Sequence, residues 1–475
     1  MARRLGAAVV VAVSPMLPTS LLLLLAIGSP CLKWRHAVNP SVDEQQVRGS
    51  VAVIESGGGL QEVVALLANG SLISYSISIS GAVGPSVDLG GPAAAAPVVL
   101  DAPTVVDQAA PAVRAACPSA SSELVAVMVG GNVTVVNAAN MAKCWSTRLI
   151  PSKFGSNVVP FSAGLTALQP GVIVAALPAA TSTPSPGGGL RAARGVEVAG
   201  LRARDGHVLW HTTVRGGAET VNTALSQRQT AFPAEILVAS SKQSVFVATP
   251  GPGSVVTALA LRSNSTELPT IQWRWTAPHS SIVLAMQTLG DKQLALGLSS
   301  GAVILLDSSS GSAATVWNEQ VTSGGAVTAL ALAPEGWGAS LRNTSVLLAS
   351  TNEVVADQSQ PERGRIVALS APDGGLLWTA AASTPLAPLT PAGGCAPSAV
   401  SIHVPRPSSG SQTHSALLNG TTAVFGCPDS IHAVSNAGEV VWSLPLQQGI
   451  DSLAIGDRDG LIYGWSQGVT SIDAS

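Results

Sequence analysis

Charge and aromatic side chains are scarce in this sequence. Only 11% of its 475 residues are Asp, Glu, Lys or Arg, and only 4% are Phe, Trp or Tyr. A net charge of −3, with no run of Lys or Arg among aromatics, gives nothing that would condense onto a phosphate backbone. Nucleic acid is therefore not an expected partner. Two Tyr and five Phe supply few rings for the exposed stacking platforms a glycan binder needs. The five cysteines include no adjacent pair, and no His-Glu-x-x-His is present. Neither Gly57-Gly58-Gly59 nor Gly187-Gly188-Gly189 precedes the Lys and Ser/Thr of a phosphate loop. Beyond the N-terminus no segment is a convincing membrane span.

Apolar residues, by contrast, make up 46% of the chain, with 48 Gly and 32 Pro. That is ample material for a core, and it fits many short strands with frequent turns better than long helices. The N-terminus has its own character. Met1, Arg3 and Arg4 open an apolar stretch from Leu5 to Ile27, and Ala26 and Gly28 place small residues ahead of a cut before Ser29. A signal peptide over residues 1–28 is expected, with an uncut signal anchor as the alternative. If the signal is cut, no direct membrane span remains. Sequons at Asn69, Asn132, Asn264, Asn343 and Asn419 fit the same secretory expectation, in the endoplasmic reticulum lumen or outside the cell.

One unit recurs: an apolar strand, a turn, a second apolar strand, a small polar turn, then a strand ending in Trp. Val346 to Trp378 is the clearest copy, with Arg365-Ile366-Val367-Ala368-Leu369, the turn Pro372-Asp373-Gly374-Gly375 and Leu376-Leu377-Trp378. Asp-Gly suits the turn because both residues tolerate left-handed backbone angles. Further copies end at Trp145, Trp210, Trp275 (or Trp273), Trp317 and Trp442, and a weaker one spans Val63 to Ile79. Four near-equal separations among these Trp, 65, 65, 61 and 64 residues, with one of 42, point to one supersecondary unit repeated with loop insertions. The last unit, Leu453 to Trp465, lacks a closing strand that Cys31-Leu32-Lys33-Trp34-Arg35 can supply. The fold expected is all-β, a β-propeller over residues 31–465 with eight blades favoured over seven. Its ring is closed by N- and C-terminal strands, and residues 466–475 form a polar tail.

The Trp set, Trp34, Trp145, Trp210, Trp275, Trp317, Trp378, Trp442 and Trp465, is read as wedges between adjacent sheets, since a recurrent position serves the architecture first. Cys117 with Cys144, and Cys395 with Cys427, flank repeats closely enough to close loops within a blade as disulfides, leaving Cys31 over. Five unpaired thiols are the alternative.

Gly364-Arg365-Ile366-Val367-Ala368-Leu369, followed by Asp373-Gly374-Gly375-Leu376-Leu377-Trp378, resembles the repeat of pyrroloquinoline-quinone-type propellers. Asp205-Gly206-His207-Val208-Leu209-Trp210 carries the same likeness. Leu32-Lys33-Trp34-Arg35-His36 is also similar to the start of the luminal propeller of the largest subunit of the endoplasmic reticulum membrane complex. The sequence departs from that subunit in lacking its long remainder and C-terminal span. The enzymatic members implied by the first resemblance use a quinone near the axis, a calcium ion, an Asp base and a vicinal disulfide, and this sequence has no vicinal cysteines.

Its most noticeable carboxylates, Asp205, Asp373 and Asp459, sit in turns, where they satisfy backbone N–H groups more often than they bind metal. Of seven histidines (His36, His207, His211, His279, His403, His414 and His432), only His207 and His211 are close in sequence. A strand spreads them too far apart to share an ion, so turn or surface roles are expected. Gly297-Leu298-Ser299-Ser300-Gly301 matches the spacing of a nucleophile elbow, yet leads into another apolar strand and so reads as a hairpin turn. No catalytic, cofactor or metal residue is assigned, and no cofactor is expected. The expected function is a non-catalytic scaffold for protein partners, among them subunits of a membrane protein complex. A ligand- or glycan-binding propeller and a quinone-dependent oxidoreductase are the alternatives.

Overall fold

The computed structural model describes residues 31–37, 52–56, 60–76, 83–100, 124–149, 163–168, 171–178, 195–216, 236–261, 267–309, 311–323, 325–333, 337, 345–353, 363–381, 399–402, 422–427, 430–445, 452–455, 461–465 and 468–473. Their strands form eight separate four-stranded antiparallel sheets. The first sheet holds Ala52–Ser56, Leu60–Leu66, Ser71–Ser76 and Val83–Asp88. The second holds Val98–Leu100, Leu124–Val129, Asn132–Asn137 and Ala142–Arg148. Gly164–Leu168, Val172–Pro178, Gly195–Arg202 and Val208–Arg215 make the third, and Leu237–Ser240, Ser244–Ala248, Val255–Ala260 and Thr270–Thr276 the fourth. The fifth contains Val283–Leu289, Gln293–Leu298, Ala302–Asp307 and Ala314–Gln320. Gly325–Leu332, Val346–Glu353, Arg363–Ser370 and Leu376–Ala381 form the sixth, and Ala399–Ile402, Thr422–Cys427, Ser430–Ser435 and Val440–Pro445 the seventh. The eighth combines Ser452–Ile455, Leu461–Trp465 and Gly468–Asp473 with the N-terminal Cys31–Ala37.

Within the first seven sheets the strands follow chain order, and the first strand of each sheet lies beside the first strand of the next. These are the inner strands, and the fourth strand is the outer edge. Second and third strands are covered on both faces by neighbouring sheets, so they read as continuous apolar runs instead of alternating ones. Leu124–Val129 is buried at every position, as is Val172–Leu177. The outer strand Val208–Arg215 alternates, burying Trp210 and Val214 and exposing the residues around them.

The core lies between sheets. Leu124, Met128 and Val135 of the second sheet pack with Ile173, Leu177 and Leu201 of the third. Phe246 and Trp273 of the fourth pack with Leu296 and Ile304 of the fifth. Each such buried side chain contributes roughly 1.5–3 kcal/mol. Gly130 and Gly131, with φ of 56° and 79°, make the tight turn between the second and third strands of the second sheet, a turn whose hand matches strand twist.

The expected closure of the array by its terminal strands is corrected. No sheet is closed into a ring: strand pairing stops at four strands in every one. Cys31–Ala37 pairs with Gly468–Asp473 as the outermost strand of the eighth sheet, so this pairing completes one blade and joins no two blades. The physical reason is that strand hydrogen bonds run from inner to outer edge within a sheet, whereas neighbouring sheets meet through side chains. The expected polar tail at 466–475 is corrected as well. Gly468–Asp473 is a strand paired on one side with Leu461–Trp465 and on the other with Cys31–Ala37. The signal expected over residues 1–28 lies outside the described residues.

Candidate functional site

The repeat tryptophans occupy one defined backbone position. In the second sheet the pairing register shifts between Val135 and Val136, leaving Cys144 as an extra residue directly before Trp145. The same shift precedes Trp210, Trp273, Trp317, Trp378, Trp442 and Trp34. A bulge bends the outer strand and re-aims the side chain that follows. In the first sheet the register shifts between Ile73 and Tyr75 of the third strand, and the outer strand Val83–Asp88 carries no Trp.

The bulge settles which residue belongs to the set in two blades. In the fourth sheet Trp273 pairs with Ala258 directly after the shift and is buried, whereas Trp275 pairs with Val256 and is half-buried. Trp273 therefore replaces Trp275 in the repeat. Trp465 ends the second strand of the eighth sheet, and Trp34 holds that sheet's outer position. Trp337, buried and 6.1 Å from Trp378 between ring centres, follows the inner strand of the sixth sheet and went unnoticed in the sequence.

Three of these indoles reach into the next blade. Trp145 Nε1–H donates to the Ala203 carbonyl at 2.8 Å, Trp317 to Ala371 at 2.9 Å, and Trp378 to Asn436 at 2.8 Å. Each acceptor opens the turn between the third and outer strands of the following sheet. The glycine of that turn lies under the ring: Gly206, Gly374 and Gly438 have φ of +70°, +75° and +83°. A Cβ on them would come within 2.4, 2.7 and 2.9 Å of the indole. The turn thus needs glycine twice, for its backbone angle and for the ring's approach.

The turn carboxylates hold these turns. Asp205 Oδ1 accepts from the His207 N–H and from Arg202 Nε, both at 3.1 Å. Asp373 Oδ1 accepts from the Gly375 N–H at 3.2 Å, and its hydrogen bonds, that from Ser370 first, hold its carboxyl below the usual carboxylate range. Asp459 lies outside the described residues. Among the described residues no three His, Cys, Asp or Glu side chains come together as a metal site.

His211 Nε2 lies 3.5 Å from the Glu197 carboxylate across the third sheet, and His207 is exposed in its turn. His279 takes a left-handed backbone angle in the one-turn 3₁₀ helix Pro278–Ser280. His432 departs from the surface role expected of it. Only 5% exposed, it stacks on Phe425 at 5.1 Å, with Nδ1 2.7 Å from Ser443 Oγ. Its place on a third strand, buried on both faces, is the cause. His36 is in the Cys31–Ala37 strand, and His403 and His414 lie outside the described residues. Ser299 sits in the turn joining paired strands, and its Oγ accepts from the Ile282 N–H at 2.9 Å.

Asn69 is in a turn, where its Oδ1 accepts from the Ser71 N–H at 3.0 Å, and Asn132 opens a strand. Asn264, Asn343 and Asn419 lie outside the described residues. Cys144 is buried and disulfide-bonded. Cys117, the partner expected for it, and Cys395 lie outside the described residues, and Cys427 ends a strand. The secretory, endoplasmic reticulum and glycoprotein expectations find no support in the fold.

Residues 32–319 match a PQQ-like family model described as outer membrane protein assembly factor BamB. The chain belongs to this PQQ-like β-propeller family. No curated protein matches it. Of solved structures, BamB from Moraxella catarrhalis is similar over 94% of this chain and 98% of its own, at 14% identity and a TM-score of 0.50. The computationally designed Ika8 protein matches over 90% and 99%, at 11% identity and a TM-score of 0.51. The Cps50 (Swd1) β-propeller domain from Myceliophteria thermophila matches over 94% and 100%, at 10% identity and a TM-score of 0.45. At such identities the first two likenesses are likenesses of fold.

What remains as candidate interaction surface is the outer rim. Large apolar side chains exposed on it are Val83, Val208, Leu268, Ile271, Val316, Leu376 and Val441, at or just before the outer strands of the first and the third to seventh sheets.

Proposed function

We propose that the chain is a scaffold component of a membrane-associated protein complex, delivered by its N-terminal signal to the secretory pathway, in the endoplasmic reticulum lumen or outside the cell. Membership of a family described as an outer membrane protein assembly factor is the observation that carries this reading. The basic, then apolar, N-terminus supports the delivery, and the similarity of Leu32-Lys33-Trp34-Arg35-His36 to a luminal propeller supports the compartment. Physically, sheets locked by docked indoles make a rigid frame, and rims and loops on a rigid frame suit docking of other proteins. No helix of the described residues is long and apolar enough to cross a membrane, so attachment through partners fits.

The test is affinity capture of the tagged full chain from detergent-solubilised native membranes, with crosslinking and mass spectrometry. A reproducible, stoichiometric set of membrane proteins is expected. Recovery of the chain alone, from a fraction without membranes, contradicts the proposal.

A further inference from the structure

We propose that the fourth sheet is a hinged blade, which pivots about its inner strand and opens the seams on both of its sides at the rim. This goes beyond the scaffold reading, whose rigid frame rests on the indoles docked elsewhere. Trp210 and Trp273, the repeat indoles of the third/fourth and fourth/fifth seams, are 4% and 6% exposed. Their Nε1–H groups have no hydrogen-bond partner among the described residues. The docked indoles, Trp145, Trp317 and Trp378, bridge the second/third, fifth/sixth and sixth/seventh seams. Trp442 is unpartnered too, but the third and outer strands of the eighth sheet come from opposite ends of the chain, so no turn joins them to receive it. Among the described repeat indoles, only Trp210 and Trp273 leave both seams of one blade without such a bond.

Local sequence accounts for both open latches. The cross-strand partner of Trp210 is Gly200, and a Cβ there would overlap the indole, so the ring lies against its own sheet. In the other blades the equivalent partner is Val135, Ala258, Leu305, Ala368 or Ala433, whose Cβ excludes that placement. Residues 261–269, which join the third and outer strands of the fourth sheet, contain no glycine to receive a ring. In the corresponding turn of the fifth sheet, Gly311 has the left-handed φ of +74°, yet nothing lies within 4 Å of a Cβ there, so no indole rests on it.

Along the inner strands the same blade is fastened. The Thr166 and Ser240 hydroxyls are 3.1 Å apart, and Ser240 Oγ donates to the Ala167 carbonyl at 3.0 Å. Toward the fifth sheet, Ser241 Oγ donates to the Asp291 carbonyl at 3.4 Å, and the N–H of Val283, first in its inner strand, donates to Ser254 Oγ at 3.1 Å. Apolar packing fills both seams, but it is non-directional and sets no fixed angle. Opening a docked seam breaks an indole bond, whereas opening either seam of the fourth sheet lets a buried, unpartnered N–H reach water. Local opening is therefore cheapest there.

The test is pulsed electron-spin distance measurement on the full chain with genetically encoded labels, two at a time, at His211, Arg274, Asn318 and Thr379. These exposed residues directly follow Trp210, Trp273, Trp317 and Trp378, so each pair spans one seam at the same register. The 211/274 and 274/318 pairs are expected to give broad or two-peaked distributions, and the 318/379 pair, across a docked seam, a narrow one. Trp317→Phe should broaden the 318/379 distribution toward the other two. On the unlabelled wild-type chain, NMR of isotope-labelled tryptophan should show the Trp210 and Trp273 indole protons exchanging with solvent about tenfold faster, or more, than those of Trp145, Trp317 and Trp378. Equal widths at all three seams overturn the proposal, as do indole protons of Trp210 and Trp273 as protected as the docked ones. A 318/379 distribution that stays narrow in Trp317→Phe overturns it as well, because the indole bond is then not what latches a rim.

Discussion

The indole of Trp317 and the backbone of Ala371, in different blades, are joined by one hydrogen bond of 2.9 Å. It ties the outer edge of the fifth sheet to a turn of the sixth, and Gly374 lies against the face of the same ring. Sheets that share no strand pairing are thereby fixed relative to one another at their outer edges, where side-chain packing alone is thinnest.

Removing that bond while keeping most of the ring, with Trp317→Phe, is expected to cost about 1–3 kcal/mol, from a lost hydrogen bond and a partial cavity. Urea unfolding followed by circular dichroism measures it. Trp275→Phe, at a half-buried position outside the repeat, should cost less. Equal losses would remove Trp273 from its place in the set.

Gly374→Ala places a Cβ 2.7 Å from Trp317, at φ +75°. Gly311→Ala has almost the same backbone angle, φ +74°, with nothing within 4 Å. The second variant is expected to lose roughly 1–2 kcal/mol, the strain of the left-handed angle alone. The first should lose clearly more, because the ring must also move. Thermal midpoints of the two proteins compare them directly, and a smaller loss for Gly374→Ala would contradict the docking of the turn.

The turn positions were legible in the sequence because Asp-Gly and Asn-Ala-Gly advertise left-handed backbone, and the strands were legible where second and third strands are apolar runs, as in Leu124–Val129, Val172–Pro178 and Ala302–Asp307. Residues whose role depends on register were not. Trp273 and Trp275 lie on the same strand, and only the bulge at Gln272 decides between them. Trp337 follows an inner strand, off the repeat, and no periodicity marks it. Gly468–Asp473 reads as polar because its strand is short and its pairing partner, Cys31–Ala37, stands at the other end of the chain.

Burial raises the Tyr75 phenol to about 12. The unfolded chain releases this proton near pH 10, so the contribution of the buried, neutral ring is complete below pH 10 and is lost as pH rises toward 12. Absorbance titration of the folded protein should show one of its two tyrosines ionising about two pH units later than free tyrosine. Ionisation of both near pH 10 would place Tyr75 at the surface.

Asp373 titrates in the other direction. Hydrogen bonds from Ser370 and the Gly375 N–H favour its charged form, so its contribution is present above the unfolded value of 3.8 and lost as pH falls through the lower folded value. Carboxyl NMR of the full chain should place its midpoint below 3.8. A midpoint at or above that value would mean that the turn is not held by the carboxylate.

The central claim, a non-catalytic scaffold that works through bound proteins, is tested most directly by native mass spectrometry of the chain purified gently from its own membranes. The expected result is a set of masses well above that of the single chain, separated by whole partner proteins in fixed ratio, with no small-molecule adduct. A bare chain, or one carrying a quinone-sized adduct with matching absorbance, would contradict it.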